Sequence, residues 1–269
     1  MCQETPTHVR DLEQFVTEQS ADSHKTPWYA LCPTLPGLVT ITRAVDTASA
    51  PTVQFLGDGT VFRKASQRFP VGARLGAATV DVGPRTVESR SSPTTLVGPT
   101  AVAVVVTTSD ARCVAVADDA CHDRLRAGAE RAWADGDDTG VSLPSLDTLL
   151  ATAEHELSSG FREGVETAVD VADARLPDGV VDGVGAALLV AAAHELLFRD
   201  VSQWVARQSL ASEATCSRRR DELTDAGVVT TSQETAEPGR PRLRCHLTET
   251  ARQRYDSAGL RPLIEDHCL

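Results

Sequence analysis

The sequence predicts an α/β N-terminal domain, a helical connector and a C-terminal winged helix-turn-helix domain. Three observations carry that architecture. In the first half, short β-branched runs bounded by Pro and Gly alternate with amphipathic stretches, as strands and helices of a layered domain do. After an acidic run ending at Asp137 and Asp138, leucines recur at helical spacing. The last third then holds two helices separated by a three-residue turn, followed by a basic hairpin. At 269 residues the chain has room for two cores. The expected divisions are an α/β sensor-like domain over 1–136, an acidic linker and helical connector over 137–177, a winged helix-turn-helix over 178–258 and a tail over 259–269.

In chain order, residues 8–19 read as an amphipathic helix with Val9, Leu12, Phe15 and Val16 on one side. Residues 28–32, 53–56 and 79–82 read as strands, with a helix over 60–69 between two of them. Residues 101–108 carry the strongest strand signal. A turn at Ser109 and Asp110 sends the chain back over 112–117, an antiparallel hairpin. Asp118 or Asp119 caps a helix reaching Trp133. Residues 134–140 are acidic, contain glycine and lack apolar periodicity, which marks a boundary, and residues 141–143 offer a short edge strand. Helices over 145–158 and 161–174 follow, with Leu146, Leu149, Leu150 and Leu157 on one face. They suit a homodimer contact or packing within the chain equally well. Pro177, Asp178 and Gly179 mark a second boundary.

Residues 184–198 are apolar enough for a buried helix, and residues 201–208 give a second, short one with Asp200 as its cap. A turn at 209–211 leads to a third helix that Ser212 caps and Gly227 ends. Val228 and Val229 begin an extended segment, a Pro238-Gly239 turn reverses it, and Arg242, Arg244 and His246 alternate with Leu243, Cys245 and Leu247 on the return. In such a unit the third helix enters the major groove, where each base pair displays its own donor and acceptor pattern. Glu213, Thr215, Arg218 and Arg219 are the candidate base readers, with Ser212, Ser217 and Arg220 nearer phosphates. Arg240, Arg242 and Arg244 present guanidinium groups from the hairpin to the backbone or the minor groove. The whole reading asks that Arg218, Arg219 and Arg220 lie exposed beside the Gly239 loop as one cationic ledge.

These residues carry a resemblance. Asp200 and Trp204, then Ser212, Ala214, Thr215, Ser217 and Arg218, then Leu223 and Gly227, then residues 239–244 resemble the C-terminal region of the haloarchaeal winged-helix transcriptional regulators called TbsP. The resemblance spans about 65 residues. It departs at Cys216, where the family has an aromatic residue, and in the acidic wing tip over 234–237. It implies a DNA-binding regulator of sugar or central carbon metabolism genes.

The formal net charge is −12, and of 26 basic residues only Lys25 and Lys64 are lysine. An acidic, lysine-poor surface suits solubility in concentrated salt, so a halophilic source is expected; an ordinary acidic protein from GC-rich coding DNA is the alternative. Between Phe198 and Arg254, ten arginines stand against eight carboxylates, so positive charge gathers where DNA would lie. Molar salt weakens phosphate binding, which shifts specificity toward base edges and shape.

The start of the chain lacks a secretory signal and no stretch is long enough to span a bilayer, so a cytoplasmic protein with no membrane partner is expected. Seven cysteines without a CxxC pair fit reduced packing residues, and Cys216 fits inner-face packing better than oxidant sensing. The adjacent pairs Cys121-His122 and His267-Cys268 lack a partner at finger spacing, so no metal and no cofactor is expected. Gly57-Asp58-Gly59 is a glycine turn rather than a nucleotide loop, and the histidines have no nucleophile motif nearby, so the chain is not expected to be an enzyme. Expected partners are double-stranded DNA and, on the N-terminal domain, a metabolite or protein. The rival function is a winged-helix protein-docking adaptor, and a third is a small-molecule enzyme with an accessory domain.

Overall fold

The computed structural model describes residues 8–20, 26–48, 52–66, 68–79, 83–88, 93–106, 112–116, 118–140, 143–174, 181–234 and 242–268. They fall into two compact units. The first holds the described residues within 1–66 and 71–145, and the second those within 68–70, 146–174 and 181–268.

The first unit is a mixed α/β layer, as the sequence leads one to expect. Its elements are β1 (His8–Asp11), α1 (Leu12–Ser20), β2 (Trp28–Cys32), α2 (Leu35–Thr47), β3 (Val53–Gly57), α3 (Gly59–Ser66) and α4 (Val71–Ala78), followed by β4 (Arg85–Thr86), β5 (Thr95–Val97), β6 (Val102–Val106), β7 (Arg112–Val116), α5 (Asp119–Asp135) and β8 (Asp137–Asp138). The strands form one sheet in the order β1-β7-β6-β5-β2-β3-β4-β8. Only β2, β3 and β4 run parallel, joined by helical crossovers; the rest pair antiparallel. Alternation along β2 sends Tyr29 to the face where Leu56, Val97, Val102 and Ala129 of α5 cluster, with Trp133 packed beside them. The Arg85 guanidinium lies 4.7 Å over the Trp133 ring. Trp28, Ala30 and Cys32 point to the opposite face and are fully buried, and α2 packs on that strand with Leu38 and Ile41.

Several expectations for this unit are corrected. Residues 8–11 are a strand paired with β7, and the helix starts after Asp11, whose carboxylate accepts from the Glu13 N–H at 2.9 Å and the Gln14 N–H at 3.2 Å. The helix expected over 60–69 stops at Ser66, and Phe69 instead bridges Val181 in the second unit. Thr79 is no strand residue but a turn closing α4, its N–H bonded to the Gly76 carbonyl; 80–82 lie outside the described residues. Helix α2 had no counterpart in the sequence reading. The acidic run read as linker holds the end of α5 and β8, which pairs with β4. The turn at Ser109 and Asp110, the segment over 141–142 and the boundary over 177–179 lie outside the described residues.

The second unit contains α6 (Leu146–Glu156), α7 (Ser159–Asp173), α8 (Gly183–Ala193), α9 (Phe198–Arg207), α10 (Glu213–Asp225), β9 (Val229–Glu234), β10 (Arg242–Leu247), α11 (Glu249–Ala258) and α12 (Arg261–His267). Helix α8 is its axis: every residue from Val184 to Ala193 is buried, the condition of a helix apolar on all sides. Helix α7 approaches it at Gly164, where a Cβ would stand 2.4 Å from Val190 Cγ1. Helices α6 and α7 pack within this unit. Trp204 of α9 meets Phe161 edge-on, ring centroids 5.2 Å apart, and its Nε1 donates to Thr152 Oγ1 at 3.1 Å. Residues 260–269, expected as a tail, contain α12, with Leu263 and Ile264 buried.

Candidate nucleic-acid interface

The site grows from the way α8, α9 and α10 follow one another. Helix α8 ends at Ala193, earlier than the expected Phe198, because Glu195 turns to φ 55° and the chain runs extended into Leu197, which bridges Arg244. The Cys245 N–H donates to the Leu196 carbonyl at 3.0 Å, so this stretch adds a third, short rung to the β9–β10 hairpin. Asp200 is not the cap of α9: Leu197 occupies that position without a side-chain bond, and Asp200 sits in the first turn beside the positive end of the helix dipole.

The turn and the third helix follow the sequence closely. Ser209 takes φ 56°, and Ser212 caps α10 by accepting from the Thr215 N–H at 3.2 Å. At the far end Gly227 takes φ 70° and the Val228 N–H returns to the Leu223 carbonyl at 3.0 Å, closing the helix. Cys216 and Leu223 are buried on the inner face. Burial pushes the Cys216 thiol up to about 11, so it stays protonated and serves packing.

The three consecutive arginines part company, so they do not form the shared cationic ledge that the sequence leads one to expect. Arg218 is the exposed one, its side chain 74 % accessible and its Nε 3.8 Å from Glu222. Arg219 turns inward to Asp182 at 2.5 Å, to Glu222 at 2.9 Å and to the His267 carbonyl. Burial opposes its charge, yet the Glu222 hydrogen bond and the Asp182 carboxylate outweigh that and hold its pKa above the usual value. Arg220 lies 4.6 Å over the Phe198 ring and binds Asp221 at 2.7 Å. An arginine every residue winds through about 100°, so three in a row cannot share one face.

Ser212, Glu213 and Ala214 are exposed in the first turn, and Thr215 and Ser217 are half-buried beside them. In the wing Arg242 is exposed and forms no ion pair with any described residue. Arg244 is held by Glu234 at 2.6 Å and by the Glu195 carbonyl. Ser232 Oγ and His246 Nε2 pair across the strands at 2.7 Å. Arg240, the Pro238-Gly239 turn and most of the acidic wing tip lie outside the described residues. Two exposed residues stand outside the expected contact set: Arg199 in the first turn of α9, and Ala214, named above only for the resemblance, whose methyl group is free on the leading turn of α10. Their solvent-facing helical phase was available as a signal.

A three-helix unit, a capped and partly free third helix and a two-stranded wing form the geometry of a DNA reader. Residues 145–264 match the family described as Transcriptional regulator TbsP-like, C-terminal HTH domain. The TbsP-like segment begins just before α6 and reaches into α12, so it includes the α6–α7 pair that packs on Trp204. The C-terminal part of the chain is therefore similar to the HTH domain of TbsP-like transcriptional regulators, and the match leaves out the α/β unit. No curated protein and no solved structure matches the chain. Among the described residues no helix is long and apolar enough to cross a membrane.

Proposed function

We propose that the protein is a sequence-specific regulator of transcription that acts on double-stranded DNA in the cytoplasm of a halophilic archaeon, at genes of sugar or central carbon metabolism. The observation that carries this reading is the free leading turn of α10 within the TbsP-like domain. Glu213 suits a cytosine amino group and Arg218 the O6 and N7 of guanine, while Ala214 suits a thymine methyl. Ser212, Thr215 and Ser217 have the reach of phosphate or base-edge contacts at that helix end. Arg242, with Arg240 beside it in sequence, neutralises phosphates from the wing. Arg220 and Arg244 support the reading surface from behind. A homodimer contacting two half-sites, and a metabolite or protein bound to the α/β unit, complete the scheme.

One observation favours the rival, a protein-docking adaptor. The exposed side of α10 carries Glu213, Asp221, Glu222 and Asp225 around Arg218. Genome-wide mapping of bound sites, followed by mobility shifts on the recovered duplexes at several salt concentrations, decides between them. The DNA reading expects Arg218→Ala to erase preference for the recovered sequence, and Arg242→Ala to weaken all duplexes alike while lowering the salt slope by about one. Absence of any duplex binding would transfer support to the adaptor.

A further inference from the structure

Arg219 lies one residue from the most exposed arginine of α10, yet its partners come from separate stretches of the chain. Its Nε is 2.5 Å from Asp182 Oδ2, one terminal nitrogen donates to Glu222 Oε2 at 2.9 Å, and the other donates to the His267 carbonyl. Asp182 has two further tasks: its carboxylate caps α8 by accepting from the Val184 N–H at 3.1 Å, and its own N–H donates to the Cys268 carbonyl at 2.7 Å. Cys268 is buried there. Gly185 forms the floor of the cluster, for a Cβ on it would stand 2.7 Å from Asp182 Oδ2 and 3.0 Å from both Arg219 Nε and Cys268 Sγ. The end of α12, the start of α8 and the middle of α10 are fastened at one point.

A guanidinium that neutralises a phosphate must be free to leave its present partners, and Arg219 is not. Withdrawing it leaves the half-buried Asp182 without its cation and the His267 carbonyl without this donor. Helix α10 buries only Cys216 and Leu223, so little else fixes its tilt along this side. We propose that Arg219 is a positioning residue, which through Asp182 and the His267–Cys268 backbone sets the angle at which α10 presents Glu213, Ser217 and Arg218 to the major groove, and which itself touches no phosphate. The inference rests on the DNA-binding reading above.

The test titrates the full chain against a duplex recovered by genomic mapping and a scrambled duplex of equal length, at several salt concentrations. The proteins are the unaltered chain, Arg219→Ala, Asp182→Asn and the double variant; Asn retains the capping oxygen for α8. Each single change is expected to lower affinity for the recovered duplex about tenfold, with scrambled binding and the salt slope unchanged. The double variant is expected to match the weaker single one, because both changes cut one tether. Should Arg219→Ala fail to fold by circular dichroism, Asp182→Asn and Gly185→Ala carry the same expectation. A salt slope lower by about 0.9 in Arg219→Ala would mark a phosphate contact and overturn the inference, as would unaltered affinity in both single variants. If the unaltered chain binds neither duplex, the DNA reading itself fails, a result distinct from normal binding that the variants leave untouched.

Discussion

Helices α8 and α10 pack against each other in the second unit and are fixed by opposite means. Helix α8 buries every side chain from Val184 to Ala193, so apolar contact holds it on all sides. Helix α10 buries Cys216 and Leu223 alone and leaves its outer face polar. What it lacks in apolar contact is supplied by a cap at Ser212, a left-handed stop at Gly227, and two inward arginines that reach Asp182 and Phe198. A helix that must keep one face available for a partner has a narrow inner stripe, and part of its positive charge is used in holding it in place. Two of the three arginines in this basic run are accordingly held by the scaffold, and Arg218 alone of the three is left exposed.

The largest expected effect breaks the apolar side of this contrast. Leu189 is fully buried in α8, and Leu189→Ala is expected to cost about 3 kcal/mol through lost burial and a residual cavity. Urea unfolding, followed by the fluorescence of Trp204 in a background where Trp28 and Trp133 are both changed to Phe, measures it. The polar side yields less: Ser212→Ala removes the cap of α10 and is expected to cost about 1 kcal/mol in the same assay. Equal losses from the two changes would mean that α10 depends on its ends as heavily as α8 depends on its sides, and the contrast would fail.

The same contrast explains how much was legible in the sequence. The winged unit could be read because its signals are local: Ser212 at the cap, Gly227 at the stop, the apolar run of α8 and the alternation of β10 all lie within a turn or two of what they determine. The fate of Arg219 and Arg220 could not, since Asp182, His267 and Phe198 are distant in sequence and a charge run looks the same whether it faces water or the scaffold. In the α/β unit, α2 was hidden although Thr34 and Pro36 signalled its start, because Val39, Thr40, Ile41 and Thr42 give it the composition of a strand. The paired residues of β4 and β8 are too short for any periodicity. Asp11 did announce the true start of α1, and the apolar pattern across it concealed the change from strand to helix.

A weaker test uses pH at the end of α8. His194 is half-buried against Gly160, and burial first, with Arg252 adding to it and Glu163 opposing, lowers its pKa below the ordinary value. The unfolded chain then takes up the proton more readily than the folded one, so the stability that the neutral ring supports is full above about pH 6.5 and is lost as pH falls through and below that value. Urea midpoints of the unaltered chain and His194→Gln, compared at pH 7.5 and pH 5.0, are expected to show the larger acid loss in the unaltered chain. An equal loss in both would assign the acid sensitivity to other groups.

The smallest effect on stability is expected at Arg218, the residue to which the proposed function assigns the reading of guanine. Arg218 is exposed and its nearest carboxylate, on Glu222, is 3.8 Å away, a surface pair that contributes little to folding. Arg218→Ala should therefore change unfolding stability by no more than about 0.5 kcal/mol, while Arg220→Ala, which loses the stacking on Phe198, should cost about 1 kcal/mol. Measured side by side, the two substitutions separate arginines held by the scaffold from those left for a partner. If Arg218→Ala proves the more destabilising, its guanidinium is engaged within the chain, and the proposed contact to guanine loses its free cation.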